Sequence, residues 1–412
     1  MKVKKIVAIL LVFVMVITNL GGCAAKKNEF KESAKAFFGE LCNNPTLKTE
    51  QKTEFLKEGW YSYKMPVTKS DVDSKINDYY AETVTSFLYD SQKDDTLLIG
   101  FKEYLPASDV GSIEVVYKKT TGEKVTTKSK IFSFDKNSDT VFNKELEAAV
   151  MGQVKAKLYD KDAKLKQMSY NDGGFLVKVE GGKSCTVEYH SVYNYLPESV
   201  KNAVGEPTKR YVDTTKKLVA ITFDDGPCVY TDDILDILEK HDSVATFFEL
   251  GNLLQYREDA VKRADKMGCE VAGHSYSHKN LPKQSLEVLK SEISKTDAEL
   301  ERILGKTPSI ARPPYGSVSD KMLANCGKAM IGWSVDTMDW SSRDKDKVVA
   351  SVKKAGNLDG DVVLMHSLYK STVDATKELI PYLIKNGYQL VTVSELYQYR
   401  HNQKLEIGKY YN

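Results

Sequence analysis

The sequence has almost no net charge and no internal repeat. Its 412 residues carry 59 Lys and Arg against 57 Asp and Glu, a formal net charge of +2, with the two signs interspersed. This balance gives no indication of nucleic-acid binding. The absence of a fixed sequence period excludes repeat architectures. The sequence also contains no low-complexity tract of the kind that would indicate a disordered region.

The first residues resemble a bacterial lipoprotein signal. A basic "MKVKK" precedes the apolar run "IVAILLVFVMVITNL", and "LGGC" then ends at Cys23. The resemblance implies cleavage before Cys23, a diacylglycerol on its sulfur, and a mature chain anchored to the outer face of the cell membrane. The alternatives are an ordinary signal peptide or an uncleaved anchor, and both also predict export. Residues 1–23 are therefore predicted as the signal and 24–44 as a polar stalk.

Cysteine is scarce, and no CxxC pair occurs. The six cysteines are Cys23, Cys42, Cys185, Cys228, Cys269 and Cys326. Lipidation of the first leaves an odd number at scattered spacings, so a disulfide framework is not expected and at least one thiol should be free.

Residues 45–200 are predicted to form a smaller α+β domain. Segments 112–134 and 174–196 alternate around the turns "TTGEK" and Gly181-Gly182, as hairpins do. Between them, apolar residues recur every four positions as in an amphipathic helix: Leu146, Val150, Val154 and Leu158. No cluster of His, Cys and carboxylate residues indicates chemistry here. The polar segment 201–214 is predicted as a linker.

Residues 215–405 have a different pattern, in which short apolar runs alternate with helical stretches. The clearest helix covers 285–305, and a second over 371–387 is expected to be interrupted by Pro381. Continuous apolar strands separated by helices indicate a parallel sheet buried on both faces. The predicted fold is therefore α/β, a distorted, incomplete (β/α) barrel.

Polar clusters follow the predicted strands of this half. They comprise Asp224, Asp225, His274, His278, Arg312, Asp336, Asp339 and His366. In parallel α/β folds the carboxyl ends of the strands hold the functional residues, so these side chains are expected to converge.

Two of these clusters predict a metal site. In "HSYSH" the two imidazoles lie four residues apart, which on a helical turn places them on one face. One carboxylate of the adjacent Asp224-Asp225 pair would complete a set of two histidines and one carboxylate with open positions, as in catalytic zinc sites. The other carboxylate would serve as a general base.

Together the motifs resemble those of the polysaccharide deacetylase family, also called the NodB-like deacetylases or carbohydrate esterase family 4. "TFDDGP", "HSYSH", "RPPYG", "DTMDW" and "LMH" occur in the family's order over about residues 215 to 400. The resemblance is to the peptidoglycan and chitin deacetylase type. The segment "VEYHSVYNYLPESV" weakly resembles a domain of unknown function that precedes the catalytic domain in some of these enzymes.

By this resemblance, Asp224 is the general base and Arg312 orients it. Asp225, His274 and His278 would bind one divalent metal ion, Zn²⁺ in the first instance with Co²⁺ as an alternative.

The resemblance also implies the remaining roles. The backbone N–H of Tyr315 would donate to the oxyanion, and His366 would be the general acid, paired with Asp339. Trp340 and Leu364 would form the pocket for the acetyl methyl group.

Structural alternatives stay open at this point. Arg312 and Asp339 could be a structural ion pair, and Asp336 is a second candidate partner for His366. Trp340 and Trp333 could be core residues, which is the preferred interpretation for Trp333, and Cys228 could perturb or join the metal site.

The predicted function is hydrolytic N-deacetylation of cell-wall polysaccharide, with N-acetylglucosamine of peptidoglycan as the substrate. Chitooligosaccharide or another acetylated wall polysaccharide is the alternative substrate within the same chemistry, and an O-acetyl ester such as acetylxylan is a further one. A catalytically silent wall-binding lipoprotein is the alternative from another class.

Overall fold

The structure is a computed structural model that describes residues 21–42, 45–56, 59–92, 94–138 and 140–412. Most of the predicted signal, residues 1–20, lies outside the described residues, as does the side chain of Cys23. The chain divides into two compact units. One comprises residues up to 141 together with 169–172, and the other comprises 142–168 and 173–412.

The first unit is built on a five-stranded sheet in the order β1–β2–β3–β4–β5. Its strands are β1 (Lys48–Phe55), β2 (Trp60–Val67), β3 (Thr96–Tyr104), β4 (Val110–Thr121) and β5 (Lys124–Asp135), and its helices are α1 (Gly21–Leu41) and α2 (Val72–Asp90). β2 and β3 are parallel, and the other neighbours are antiparallel. The predicted hairpin over 112–134 is confirmed as β4–β5, and its turn contains Gly122 at a φ of 58°.

Helix α1 occupies most of the segment for which a polar stalk was predicted. Phe30, Ala34 and Phe38, four residues apart, are buried in the same apolar cluster as Ile76 and Phe87 of α2. The spacing places the three side chains on one face of the helix, which packs into the core of this unit.

The second unit contains most of the secondary structure. Its strands are β7 (Gly174–Val179), β8 (Ser184–Glu188), β9 (Lys217–Gly226), β10 (Thr246–Glu249), β11 (Glu270–Gly273), β12 (Ile310–Ala311), β13 (Ala329–Ile331), β14 (Val335–Asp336), β15 (Val362–His366), β16 (Tyr388–Leu390) and β17 (Tyr410–Tyr411). Strand β6 (Leu165–Asn171) spans the boundary between the units. The helices are α3 (Lys144–Leu158), α4 (Glu198–Val204), α5 (Thr231–Lys240), α6 (Gly251–Leu254), α7 (Glu258–Lys266), α8 (Leu286–Leu304), α9 (Asp320–Leu323), α10 (Asp339–Ser342), α11 (Lys345–Ala355), α12 (Lys370–Lys385) and α13 (Val393–Tyr399).

A nine-stranded parallel sheet organises this unit. The order is β14–β15–β9–β10–β11–β12–β13–β17, with β16 also pairing β9. In the part of the chain that the structure describes, β14 and β17 do not pair with each other, so the barrel is incomplete. The predicted α/β class and curled parallel sheet are confirmed.

The central strand β9 explains the unbroken apolar runs of the sequence. Val219, Ile221 and Phe223 pack into one apolar cluster with helix residues, whereas Leu218 and Ala220 pack into the cluster on the opposite face of the sheet. Because successive side chains of a strand point to opposite faces, a strand covered on both faces is apolar throughout.

Two helix predictions have opposite outcomes. Helix α8 covers the predicted segment, with its N-cap at Ser285 and its C-cap at Gly305, whose φ is 68°. The predicted interruption at Pro381 is wrong, since α12 continues through it. Proline removes one backbone hydrogen bond from a helix, and here the burial of Leu379, Ile380 and Leu383 around it compensates.

Helix α3 packs against the segment that leads into β9. The side-chain amide of Gln153 donates to the Val212 carbonyl at 2.8 Å, and the Thr214 hydroxyl donates to the Ala149 carbonyl at 3.3 Å. The β7–β8 hairpin follows, and its turn contains the predicted Gly181 and Gly182. The domain boundary at residue 200 stays a prediction. The hydrogen bonds of Gln153 and Thr214 join α3, which precedes that boundary, to residues 212–214, which follow it.

Within the described residues, no helix combines the length and the apolar character needed to cross a membrane. The five cysteines from Cys42 to Cys326 are all free thiols, in agreement with the absence of paired cysteine motifs.

The contact between α3 and Thr214 predicts the effect of Gly152→Ala. An added Cβ would lie 2.0 Å from the Thr214 hydroxyl oxygen and 2.5 Å from its Cβ. Overpacking of this kind should destabilise the unit by about 1–3 kcal/mol, measured by urea or thermal unfolding. The matched control is Gly39→Ala in α1, where no atom lies within 4 Å and stability should be unchanged or slightly higher. Equal stability of Gly152→Ala and the parent would contradict the packing.

Candidate active site

The adjacent carboxylates lie at the carboxyl end of β9. Thr222 and Asp224 continue the set of side chains that face the interior of the barrel, so a regular strand would point Asp225 to the other face. The register against β10 shifts here, with Phe248 opposite Asp224 and Glu249 opposite Gly226. Asp225 is therefore the extra residue of a bulge, with a φ of 70°. A bulge redirects its side chain, and both carboxylates thereby reach the same cleft.

The two histidines of "HSYSH" follow β11. The predicted helical turn is wrong: the segment is a loop in which Ser275 and His278 have φ values of 63° and 57°. The loop nevertheless brings the two imidazole rings to 5.1 Å between centroids. His274 is buried, and its Nδ1 lies 2.8 Å from the Arg312 carbonyl oxygen. Since a carbonyl only accepts, Nδ1 carries the proton and Nε2 has a free lone pair.

Asp225, His274 and His278 form a group suited to a metal ion. Their ligand atoms lie within 4.8 Å of one another, and Asp225 Oδ1 is 3.5 Å from His274 Nε2 and 3.3 Å from His278 Nε2. Asp225 Oδ1 is buried without a hydrogen-bond partner in the described structure, which is costly for a carboxylate unless a cation compensates. Burial lowers the pKa of His274 more than Asp224 and Asp225 raise it, which favours the neutral imidazole that metals bind. These residues therefore fit a divalent ion with open positions.

Arg312 compensates the charge of Asp224. It follows β12, is 1% exposed, and donates from Nη1 to Asp224 Oδ1 at 2.8 Å and to the Thr222 hydroxyl at 2.6 Å. Its other nitrogens donate to the carbonyls of Ile331 and Gly332, at 3.2 and 2.7 Å. These hydrogen bonds hold the guanidinium in one position. The guanidinium in turn holds Asp224 Oδ1 and leaves Oδ2 facing the cleft.

His366 ends β15, directly beside Asp224 in the register of the sheet. Its Nδ1 lies 2.8 Å from Asp339 Oδ1, and the fully buried Asp339 also accepts from the His366 backbone N–H and the Thr372 hydroxyl, each at 2.7 Å. Asp336 instead accepts from the backbone N–H of Met338. Of the two candidate partners for His366, the structure therefore brings only Asp339 to it.

The environment of His366 favours its protonated form. Burial alone lowers the pKa of His366, but the hydrogen bond and charge of Asp339, assisted by Asp224 and Asp225, outweigh burial and raise that pKa above its ordinary value.

The remaining predicted site residues are Tyr315, Trp340 and Leu364. Tyr315 has a φ of 64° and its ring lies 4.6 Å from that of His278. Trp340 is 46% exposed, as expected for a residue on the rim, whereas Leu364 is buried. Trp333 packs against the apolar cluster inside the barrel.

Glu249 is a site residue that the sequence analysis did not identify. It ends β10, is 2% exposed, and burial together with Asp224 and Asp225 raises its pKa well above the ordinary value. A Cβ on Gly226 would lie 2.5 Å from Glu249 Oε2, which shows how closely the carboxyl approaches the bulge. The available signal was an acidic residue closing the apolar run "VATFFE".

Cys228 does not belong to the metal-binding group. Its thiol donates to the Ser367 carbonyl at 3.2 Å, and burial raises its pKa, so the thiolate that a metal would require is disfavoured.

Comparison with known proteins agrees with the motifs. The profile of the polysaccharide deacetylase family matches residues 211–331. The peptidoglycan-N-acetylmuramic acid deacetylase PdaC of Bacillus subtilis is 39% identical over 194 residues, covering 47% of this chain and 41% of PdaC. The peptidoglycan-N-acetylglucosamine deacetylase PgdA of Listeria monocytogenes is 40% identical over 218 residues, covering 53% of this chain and 45% of PgdA. The chain thus spans less than half the length of either relative.

A shorter relative is matched more completely. A peptidoglycan-N-acetylglucosamine deacetylase of Bacillus cereus is 35% identical over 199 residues, which cover 46% of this chain and 92% of the relative. The solved structure of PdaC from Bacillus subtilis is 41% identical and covers 46% of this chain and 94% of that one, with a TM-score of 0.45. With a relative matched over nearly its full length, this chain belongs to the polysaccharide deacetylase family.

Proposed function

We propose that this protein is a metal-dependent N-deacetylase of cell-wall polysaccharide, acting on N-acetylglucosamine of peptidoglycan. One observation carries the proposal: a metal-type donor set, a carboxylate fixed by arginine and a histidine paired with a buried aspartate meet at one edge of the sheet. Amide hydrolysis needs a proton acceptor, a proton donor and fixed positive charge, and the cleft contains groups for all three.

Asp225, His274 and His278 would hold the divalent ion, Zn²⁺ in the first instance and Co²⁺ as an alternative. When bound, it polarises the acetyl carbonyl and lowers the pKa of the attacking water. Asp224 accepts the proton of that water at Oδ2, because Oδ1 is held by Arg312.

His366 completes the hydrolysis. Its Nδ1 is held by Asp339, so Nε2 presents the proton to the leaving nitrogen as the carbon–nitrogen bond breaks. The products are acetate and a free amino sugar. Tyr315 would donate its backbone N–H to the developing oxyanion, and Trp340 and Leu364 would enclose the acetyl methyl group.

The proposed location follows from the N-terminal sequence. Lipidation of Cys23 would anchor the mature chain to the outer face of the cell membrane, where wall polysaccharide is the first glycan within reach. The names of the relatives support peptidoglycan as the substrate. Two of the three are named for N-acetylglucosamine, whereas PdaC is named for N-acetylmuramic acid.

The substrate is tested by incubating the purified protein with peptidoglycan and, separately, with chitin oligomers. We expect acetate release from peptidoglycan and, by mass spectrometry of the digested glycan, glucosamine in place of N-acetylglucosamine. Asp224→Asn protein serves as the inactive control. Modification of muramic acid alone, or acetate release only from acetylxylan, would contradict the proposed substrate.

Substitutions at the cleft separate the base from the metal ligands. Asp224→Asn should lower kcat/KM by about 10²–10⁴-fold while the metal content stays at the parent's level, because the ligands are intact. His274→Ala should lose both activity and metal, measured by acetate release and elemental analysis. A chelator should inactivate the parent, and zinc or cobalt should restore it. The control is Asp346→Asn, whose side chain is 87% exposed. Parent activity in Asp224→Asn would show that the base is misassigned.

The pH dependence tests the acid. His366 acts while protonated, and its raised pKa keeps it protonated to higher pH than an ordinary histidine, so kcat/KM should fall as pH rises through that pKa. Asp339→Asn removes the charge and should move this basic limb to lower pH. Thr372→Val removes one hydrogen bond to Asp339 but not the charge, and its limb should stay in place. Superimposable profiles of Asp339→Asn and the parent would exclude this role for Asp339.

A further inference from the structure

One face of the β4–β5 hairpin, in the first unit, presents a regular row of lysines. Directly paired residues share a face, and every second pair returns to that face. Four consecutive pairs on this face are Thr121–Lys124, Lys119–Thr126, Tyr117–Lys128 and Val115–Lys130. Each contributes one lysine, and successive pairs are about 7 Å apart along the strands. We call Lys119, Lys124, Lys128 and Lys130 the lysine row.

The lysine row borders a groove of about 550 Å³. The hairpin forms one wall, with Lys119, Lys124 and Lys128, and helix α2 forms the other, with Tyr79 and Phe87. Among the residues that the structure describes, the four ammonium groups make no ion pair within 4.0 Å, and Glu82 is the one carboxylate lining the groove. Three lysines thus line the groove with a single carboxylate, which leaves the groove with a net positive charge.

Two of the lysines are oriented by aromatic rings. The Lys130 ammonium lies 5.0 Å from the centroid of Tyr79, and that of Lys119 lies 5.7 Å from the centroid of Phe87. Cation–π contacts restrict these side chains before any ligand binds, which lowers the entropic cost of binding. The same contacts cover a face of both rings, so the rings are poorly placed to stack on nucleic-acid bases.

Protection of a sheet edge does not account for the row. Lysines on an edge strand prevent pairing with another chain, and β5 is the last strand of its sheet. Protection of an edge does not require the lysines to lie on one face or to border a groove. It also does not require a lysine on the inner strand β4, where Lys119 lies. Lys118, also on β4, points to the opposite face with its partner Thr127.

The spacing and the shape of the groove indicate the ligand. A row of single positive charges about 7 Å apart complements a linear chain with one negative charge per short repeat. A chain of three-carbon polyols joined by phosphodiesters has this charge spacing. The groove between α2 and the hairpin suits one extended strand better than the flat surface of a membrane.

We propose that the lysine row binds a linear polyol-phosphate polymer. That such a polymer lies within reach of the protein rests on the proposed function, because a wall-directed enzyme outside the membrane meets anionic wall polymers together with its glycan substrate. Binding to such a polymer would hold the catalytic unit near the wall without using the deacetylase cleft.

The test is the binding of purified poly(glycerol phosphate) to the full chain, measured by calorimetry at several salt concentrations. We expect affinity to fall with salt, and the fourfold variant K119Q/K124Q/K128Q/K130Q to bind at least about tenfold more weakly, with a reduced salt slope. Single variants Lys124→Gln and Lys128→Gln should each weaken binding. The matched control is Lys118→Gln, which removes the same charge from the opposite face and should bind as the parent does. Thermal unfolding verifies that every variant is folded.

Three results would overturn the proposal. They are equal weakening by Lys118→Gln, tighter binding of a single-stranded oligonucleotide with the same number of phosphates, and binding to phosphatidylglycerol vesicles without binding to the free polymer. Acetate release from peptidoglycan that has been freed of phosphate-containing polymers reports the deacetylase separately. If the parent protein does not bind the polymer although its deacetylase activity is intact, the lysine row alone is refuted. If the parent binds the polymer but has no deacetylase activity, the proposed function alone is refuted.

Discussion

The cleft depends on how three neighbouring carboxylates are kept in a buried place. Asp224, Asp225 and Glu249 lie at the ends of two adjacent strands, where negative charges would repel one another. Each is accommodated differently. Asp224 pairs with the buried Arg312, Glu249 has a raised pKa that favours its neutral form, and Asp225 directs an unpartnered oxygen toward two imidazoles. Among the described residues, Asp225 Oδ1 has no hydrogen-bond partner, and its position beside two imidazoles fits a divalent cation.

Backbone geometry makes this arrangement possible. The bulge at Asp225 turns an outward-facing position into the cleft, and the left-handed conformations at Ser275 and His278 curve a loop so that its imidazoles converge. A positive φ strains the backbone of a non-glycine residue, and this strain persists where surrounding contacts hold the conformation. Parallel strands bring the segments to one edge, and these local irregularities direct the side chains.

The sequence predicted the convergence but not the local geometry. Polar clusters after apolar runs located the strand ends, because a sheet covered on both faces requires uninterrupted apolar strands. The spacing of His274 and His278 does not distinguish a helical turn from a left-handed loop, and the helical interpretation was wrong. The sequence pattern does not identify Glu249, because a single acidic residue at the end of an apolar run has no periodicity. Proline predicts an interruption of the helix at Pro381, but α12 continues through it because its neighbours there are buried.

The proposed acid, His366, and the proposed base, Asp224, lie side by side at this edge of the sheet. His366 and Asp224 are directly opposed on adjacent strands, so a free imidazolium and a free carboxylate there would pair with each other and lose both functions. Each is instead committed to its own partner: Arg312 binds Asp224 on one side, and the buried Asp339 binds His366 on the other. Asp339 raises the pKa of His366 and thereby favours the protonated imidazole. The two residues are therefore held in two separate ion pairs on neighbouring strands, an arrangement that suits the acid and base roles proposed for them.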